Sequence, residues 1–369
     1  MMRTWLMVLS GLCIQLAAAS AASGQQLPVA DRAAGASLSA SLQAIQLDIR
    51  RTLEYYYQRP LRVAEKTPWS VMHSLVAFGV DTELDAGNRH VNAIGWLCYN
   101  QPARGMRLFE IERSLPAPRQ GPGLEGHRGQ LLSMLAQSRV RPEYAIKVSG
   151  HEFSVADLVR HEQLTCKTDQ ELTFKLIGLS HYLPSDAQWK NDIGQSWTLG
   201  RLIQHELSQS VNGAACGGSH RLMGLSYAVQ KRVQRGEVLD GEWKRAAQFA
   251  QQFQDFTFTL QNPDGSFSTN WFVGRGRSSD QLERLRTSGH VLEWLAFSLP
   301  ADQLEDPRLL RSVNYLTSVL WQGRQRQWPI GPLGHALHAL VIFNERALEG
   351  IPGRPAATFG SQADVSRVP

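Results

Sequence analysis

The chain has 369 residues, of which 43% are hydrophobic and 19% charged. That length and apolar content can fill one large core or two ordinary domains, which excludes a disordered chain and a scaffold held by disulfides alone. The formal net charge is +5, but the Lys and Arg residues are scattered rather than laid in a basic stripe interleaved with aromatics, so nucleic acid is not an expected partner.

Residues 1–24 read as a secretory signal peptide. Arg3 supplies the positive charge, residues 5–16 are mostly apolar, and Ala17, Ala18, Ala19, Ser20, Ala21 and Ala22 offer small residues for cleavage. Leu12 before Cys13 is not the small residue that a lipoprotein site needs. An uncleaved anchor stays open as the alternative. No later stretch is apolar enough to span a bilayer, so the expectation is a periplasmic or extracellular protein without integral membrane association after cleavage. If Cys13 leaves with the signal, Cys98, Cys166 and Cys216 remain. An odd count allows at most one bridge, and stability must then come from the core.

The rest of the chain reads as helices in pairs. Leu38, Leu42, Ile45, Ile49 and Leu53 repeat at helical spacing, and the more apolar segment 69–78 follows Pro68. The same order recurs as 154–166 with 171–179, 198–211 with 217–225, 241–261 with 288–295, and 307–321 with 331–345. In each pair the first helix is more charged and the second more apolar, as outer and inner layers require. Several apolar helices open on a small residue followed by histidine: His127, His220, His290 and His335. The first two lie 93 residues apart, or two steps of about 46, and the last two 45 apart. The interval from His220 to His290 is 70, which falls to the same period once 262–286 is taken as an insertion. Segment 101–126 is Pro- and Gly-rich and leaves the second pair with a weak outer helix.

Six outer and six inner helices predict an all-α fold, an (α/α)6 toroid over residues 37–350, followed by a flexible tail over 351–369. An open solenoid is the alternative, but it needs polar capping repeats, and neither end shows one.

Two local resemblances point the same way. Phe249, Phe253, Phe256, Phe258 and Leu260 lead into Gln261-Asn262-Pro263-Asp264-Gly265-Ser266-Phe267, which resembles the helix end and turn of terpenoid cyclases, protein prenyltransferases and their toroid relatives. This resemblance implies fold rather than chemistry. The Asp-rich acid of class II cyclases is absent, and the Asp, Cys, His zinc set of prenyltransferases is not recognisable in order. Ser288-Gly289-His290-Val291-Leu292-Glu293-Trp294-Leu295 is similar to the Gly-His-x-x-Glu-Trp segment of N-acylglucosamine 2-epimerases and aldose-ketose isomerases, also (α/α)6 barrels. It implies that His290 is an acid or base in a central pocket, with His335 opposite.

His290 and Glu293 stand at i and i+3 on one helix face, where a carboxylate can orient an imidazole for proton transfer next to a sugar carbonyl. The competing reading has His290 capping its helix and Glu293 paired with an arginine of the insertion. His335 and His338 repeat the spacing, one facing the cavity and the other packed between layers. Cys216 and His220 are four apart in Ala215-Cys216-Gly217-Gly218-Ser219-His220 and could ligate zinc with Glu293 or His335 completing the set. The glycines there equally suit a tight turn, with His220 facing a ligand and no metal bound. Trp69, His73, His127, Glu171 and Trp271 fall near the mouth, where tryptophans can stack on sugars or simply fill the core. Arg275, Arg277, Arg284 and Arg286 read as a solvated loop, with cover over an anionic ligand as the alternative. His151, His161, His181 and His205 receive no role. There is no nucleophile elbow, P-loop or dinucleotide fingerprint.

The functional expectation is an exported carbohydrate-active enzyme, an isomerase, epimerase or lyase, with His290, Glu293, His335 and His220 catalytic, a small-molecule or oligosaccharide ligand, and no cofactor required. The alternatives are a non-catalytic toroid that binds glycan or protein, and a terpenoid or prenyl-group enzyme with an apolar cavity.

Overall fold

The computed structural model describes residues 40–348; the expected signal peptide and C-terminal tail lie outside them. Twelve α-helices are present among these residues: α1 (Ala40–Tyr57), α2 (Pro68–Phe78), α3 (Ala93–Cys98), α4 (Gln130–Gln137), α5 (Val155–Leu164), α6 (Thr173–Tyr182), α7 (Leu199–Leu207), α8 (Ser219–Gln234), α9 (Gly241–Thr259), α10 (Gln281–Ser298), α11 (Pro307–Gln322) and α12 (Ile330–Ala347). None is long and apolar enough to cross a membrane.

The two kinds of helix differ as their sequences require. α1 buries the stripe Leu42, Ile45, Ile49 and Leu53 together with Thr52, and α7 buries Leu199, Leu202, Ile203 and Glu206. By contrast α4 buries every residue from Gln130 to Ala136, and α6 every residue from Thr173 to Ser180. A helix buried all round must be packed on several sides. Each even-numbered helix packs on the next, and α12 packs back on α2. The odd-numbered helices cover them from one side: α1 lies on α12, α3 on α2, α5 and α7 on α6, α9 on α8, and α11 on α10. α3, in the Pro- and Gly-rich second pair, has only six residues.

The all-α expectation is corrected to a mostly helical fold with small sheets. β1 (Leu61–Arg62), β2 (Glu83–Asp85) and β3 (His90–Asn92) form one sheet, parallel then antiparallel. β4 (Phe109–Glu112) with β5 (Leu115–Pro118), β6 (Ala145–Val148) with β7 (His151–Ser154), and β8 (Gln188–Lys190) with β9 (Ser196–Thr198) are antiparallel hairpins. Strands of two to four residues are too short to show a period of two, which is why the pattern missed them. They set the starts of odd-numbered helices. β3, β7 and β9 each end on the N-cap of the next helix, because an N-cap keeps the extended backbone of a strand while its side chain serves the helix. Asn92 accepts from Ile94 N at 3.0 Å, Ser154 forms a capping box with Asp157, and Thr198 accepts from Arg201 N at 3.0 Å.

A second correction concerns α10, which starts at Gln281 rather than Ser288. Asp280 caps it, accepting from Leu282 N at 2.9 Å, so Arg284 and Arg286 belong to a helix and not to a loop. Arg277 and Arg284 both donate to Asp264, holding the Asp264-Gly265-Ser266 turn. Gln261 ties that turn to α11 through Arg308 O at 2.8 Å and Ser312 Oγ at 2.7 Å. Cys98, Cys166 and Cys216 are all free thiols.

Candidate functional site

Glycines bring α2, α10 and α12 close enough for their histidines to meet. A Cβ on Gly334 of α12 would stand 2.4 Å from the His73 carbonyl oxygen of α2, and one on Gly289 of α10 would stand 3.1 Å from Ala336 of α12. The neighbours of these glycines, His335 and His290, therefore face each other with ring centroids 3.8 Å apart. The α8 histidine arrives differently. Cys216, Gly217 and Gly218 all have positive φ, at 47°, 63° and 90°, a tight reversal that starts α8 and sets His220 at its second residue. For cysteine this backbone is strained, at a cost of about 1–2 kcal/mol.

All nine sequence-predicted residues fall into one continuous web. The rings of Trp69 and His73 lie 3.8 Å apart at a tilt of 37°, and His73 meets His335 at 5.9 Å. His220 lies 5.3 Å from both His290 and His335. Trp271 approaches His290 at 5.7 Å. His127, 5.9 Å from His220, pairs through Nδ1 with Glu171 at 2.7 Å. Phe174, which the sequence reading did not single out, is wedged between His127 and His220.

Glu293 does not orient His290. Its two oxygens accept from His335 Nδ1 at 2.8 Å and from His338 Nδ1 at 2.5 Å, both on α12. The i, i+3 spacing puts His290 and Glu293 on one side of α10, but the carboxylate reaches across to the helix packed there. His290 instead donates Nδ1–H to the Arg286 carbonyl one turn back, at 2.7 Å. Because a carbonyl can only accept, the proton is on Nδ1 and Nε2 carries a lone pair. His73 does the same with the Trp69 carbonyl at 2.8 Å.

What remains is unusual. Among the described residues, His290 Nε2 and both ring nitrogens of His220 are buried with no hydrogen-bond partner, although buried polar atoms in native structures are nearly always paired. One ligand atom from each of Cys216, His220 and His290 lies within 4.8 Å of the others. Burial, followed by the neighbouring imidazoles, holds His220 and His290 well below the usual histidine range, and the same two causes put His73 at about 3. These rings are neutral bases at physiological pH. Burial pushes the Cys216 thiol up to about 11. Burial also opposes ionisation of Glu293, but the charge and hydrogen bonds of His335 and His338 outweigh it and hold the carboxyl below the usual carboxylate range.

No family model, curated protein or solved structure matches this chain. The site must be read from its own chemistry.

On α2, α8, α10 and α12 the web histidines His73, His220, His290 and His335 are buried and lie before the helix ends. A cavity of about 470 Å³ lies where α2, α4, α6, α8, α10 and α12 finish. His338 lines that cavity and shares Glu293 with His335, so the two regions have a common wall. Of the histidines given no role, His181 also lines the cavity, with its Nδ1 2.7 Å from the Tyr227 hydroxyl.

Proposed function

We propose that the even-numbered helices are the inner wall and the odd-numbered helices the outer wall of an (α/α)6 toroid, and that its histidine web is the centre of a metal-dependent enzyme. The return contact of α12 on α2 supports the closed ring over an open solenoid. The observation that carries the centre is the set of three unpartnered ring nitrogens beside a free thiol.

Leaving such atoms buried and unsatisfied costs about 1–3 kcal/mol each. His220 and His290 would lose most of that cost if each gave one lone pair to a transition metal ion. Thiolate with imidazole is a donor set suited to zinc. Cys216, His220 and His290 would hold the ion, since one ligand atom from each already lies within 4.8 Å of the others. Cys216 would have to give up its thiol proton to serve as a ligand. His335 lies beside this set, its ring 3.8 Å from that of His290, and Glu293 fixes it in the way that carboxylates orient histidines around metal centres.

When bound, the ion supplies Lewis acidity to a substrate oxygen. The chain's own residues do the rest. His335 accepts a proton at Nε2, and Glu293 stabilises the imidazolium that results. Trp69 and Trp271 would flank a sugar bound at the web. This fits an exported isomerase, epimerase or lyase that abstracts a proton next to a carbonyl of a carbohydrate.

The test is metal analysis of the purified protein followed by Co²⁺ titration of the stripped form. Stoichiometric binding with a thiolate-to-cobalt charge-transfer band, absent in Cys216→Ser, is the expected result. A folded protein with no affinity for Zn²⁺ or Co²⁺ overturns the metal centre. The carbohydrate reading is tested separately by a thermal-shift screen of sugars and uronic acids against wild type and His335→Asn, and a screen with no shift removes it.

A further inference from the structure

The inner-helix ends opposite the histidine web carry a charge imbalance. Three cations line the cavity there, Arg139, Lys231 and Arg346, against one carboxylate, Glu345. Two of the cations are used by the fold. Arg346 donates to the carbonyls of Ala296, Phe297 and Leu299 at 2.6, 2.7 and 2.8 Å, satisfying the end of α10. Arg139 pairs with Glu345 at 3.0 Å. Nearby Arg235, which does not line the cavity, closes the end of α6 through Ser180 O at 2.8 Å.

Lys231 has no such use. Among the described residues its Nζ meets no carboxylate and no carbonyl, only the face of Tyr227 at 5.7 Å. Half-burial, then Arg235 and Arg139, hold its ammonium below the usual lysine range. A partly desolvated ammonium set among guanidinium groups, with the local carboxylate already engaged, lacks an anion. Beside it on α8, Gln230 and Gln234 also line the cavity. Across from them the wall is apolar: Val76, Ala77, Val341, Ile342 and Phe297. The volume falls in the range of small-molecule sites, roughly 300–1,000 Å³.

We propose that this cavity is a second ligand site that takes a small amphiphilic organic anion, its charged head held by Lys231 and its apolar body laid against the α2, α10 and α12 wall. The proposal goes beyond the metal centre and stands or falls without it, since nothing in the recognition involves Cys216, His220 or His290. His338 belongs to both regions, so a ligand seated here touches the ring that Glu293 holds.

The experiment is calorimetric titration of the full protein with octanoate, octanol, octyltrimethylammonium and inorganic phosphate. Octanoate is expected to bind at least about tenfold tighter than octanol, the contribution of one charge-assisted contact, and the cationic analogue not at all. Lys231→Met should remove that preference while leaving octanol binding and metal content unchanged. Its side chain is only half-buried, so the variant is expected to fold, and circular dichroism checks this. Equal affinity for octanoate and octanol overturns the proposal, as does octanoate binding unaffected by Lys231→Met. Phosphate binding as tightly as octanoate and competing with it overturns the apolar half.

Discussion

His335 presents Nδ1 to Glu293 at 2.8 Å while its ring lies 3.8 Å from that of His290. One carboxylate thereby fixes the tautomer of the imidazole that closes the web, and His338 takes its other oxygen. Glu293→Gln keeps the shape but offers a single acceptor to two N–H donors. We expect a loss of about 1.5–3 kcal/mol in unfolding free energy from urea titration, the worth of a buried hydrogen bond to a charged group. A neutral effect would mean that the two histidines do not depend on the carboxylate.

Glu125 is buried, and burial followed by the Glu162 charge raises its carboxyl from 4.5 to about 8. The folded state therefore holds a proton that the unfolded state has already released across that interval. Stability is greatest below pH 4.5 for this group and declines as pH rises toward 8, by up to about 1.4 kcal/mol per pH unit. Glu125→Gln, which keeps an acceptor for Leu131 N, should flatten that part of the stability profile. An unchanged slope between wild type and variant would refute the assignment.

Lys175 and Glu162 form an ion pair at 2.9 Å with side chains 0% and 3% exposed. Lys175→Met leaves a carboxylate buried alone and should cost about 3–5 kcal/mol, whereas adding Glu162→Leu should recover most of it. Denaturation of the single and double variants decides this, and a double variant no more stable than the single one would count against it.

Gly334 is where α12 touches α2. Alanine there drives its Cβ against the His73 carbonyl oxygen and should destabilise by about 1–3 kcal/mol through overpacking, with His335 displaced from the web. Gly274→Ala, which meets nothing within 4 Å, is the control and should be near neutral. Equal melting temperatures would show that the two helices can separate without loss.

Much of the helical plan was legible in the sequence. The stripes of α1, α5, α9 and α11 and the apolar runs of α2, α6 and α12 are local periodicities, and a helix shows its buried face in the spacing of its own residues. The histidine web was also foreshadowed, because small residue followed by histidine recurs at a period near 46 and equivalent positions of a repeat gather in space. The short hairpins escaped notice because pairing between strands of two to four residues is decided by turns such as Ser149-Gly150, both at positive φ, and not by alternation.

Partnership is what the sequence by itself did not determine. Read along the chain, Glu293 belongs to His290, three residues away. In the structure it belongs to His335 and His338, 42 and 45 residues away. Side-chain hydrogen bonds are set by which helix face meets which, and that follows from close packing at Gly289 and Gly334 rather than from proximity in the chain. The unpartnered nitrogens of His220 and His290 and the unpaired Lys231 are of the same kind. Composition and period fix which groups are present and on which face they sit, but only the packed fold decides which are left without a partner, because satisfaction of a buried polar atom depends on every element around it.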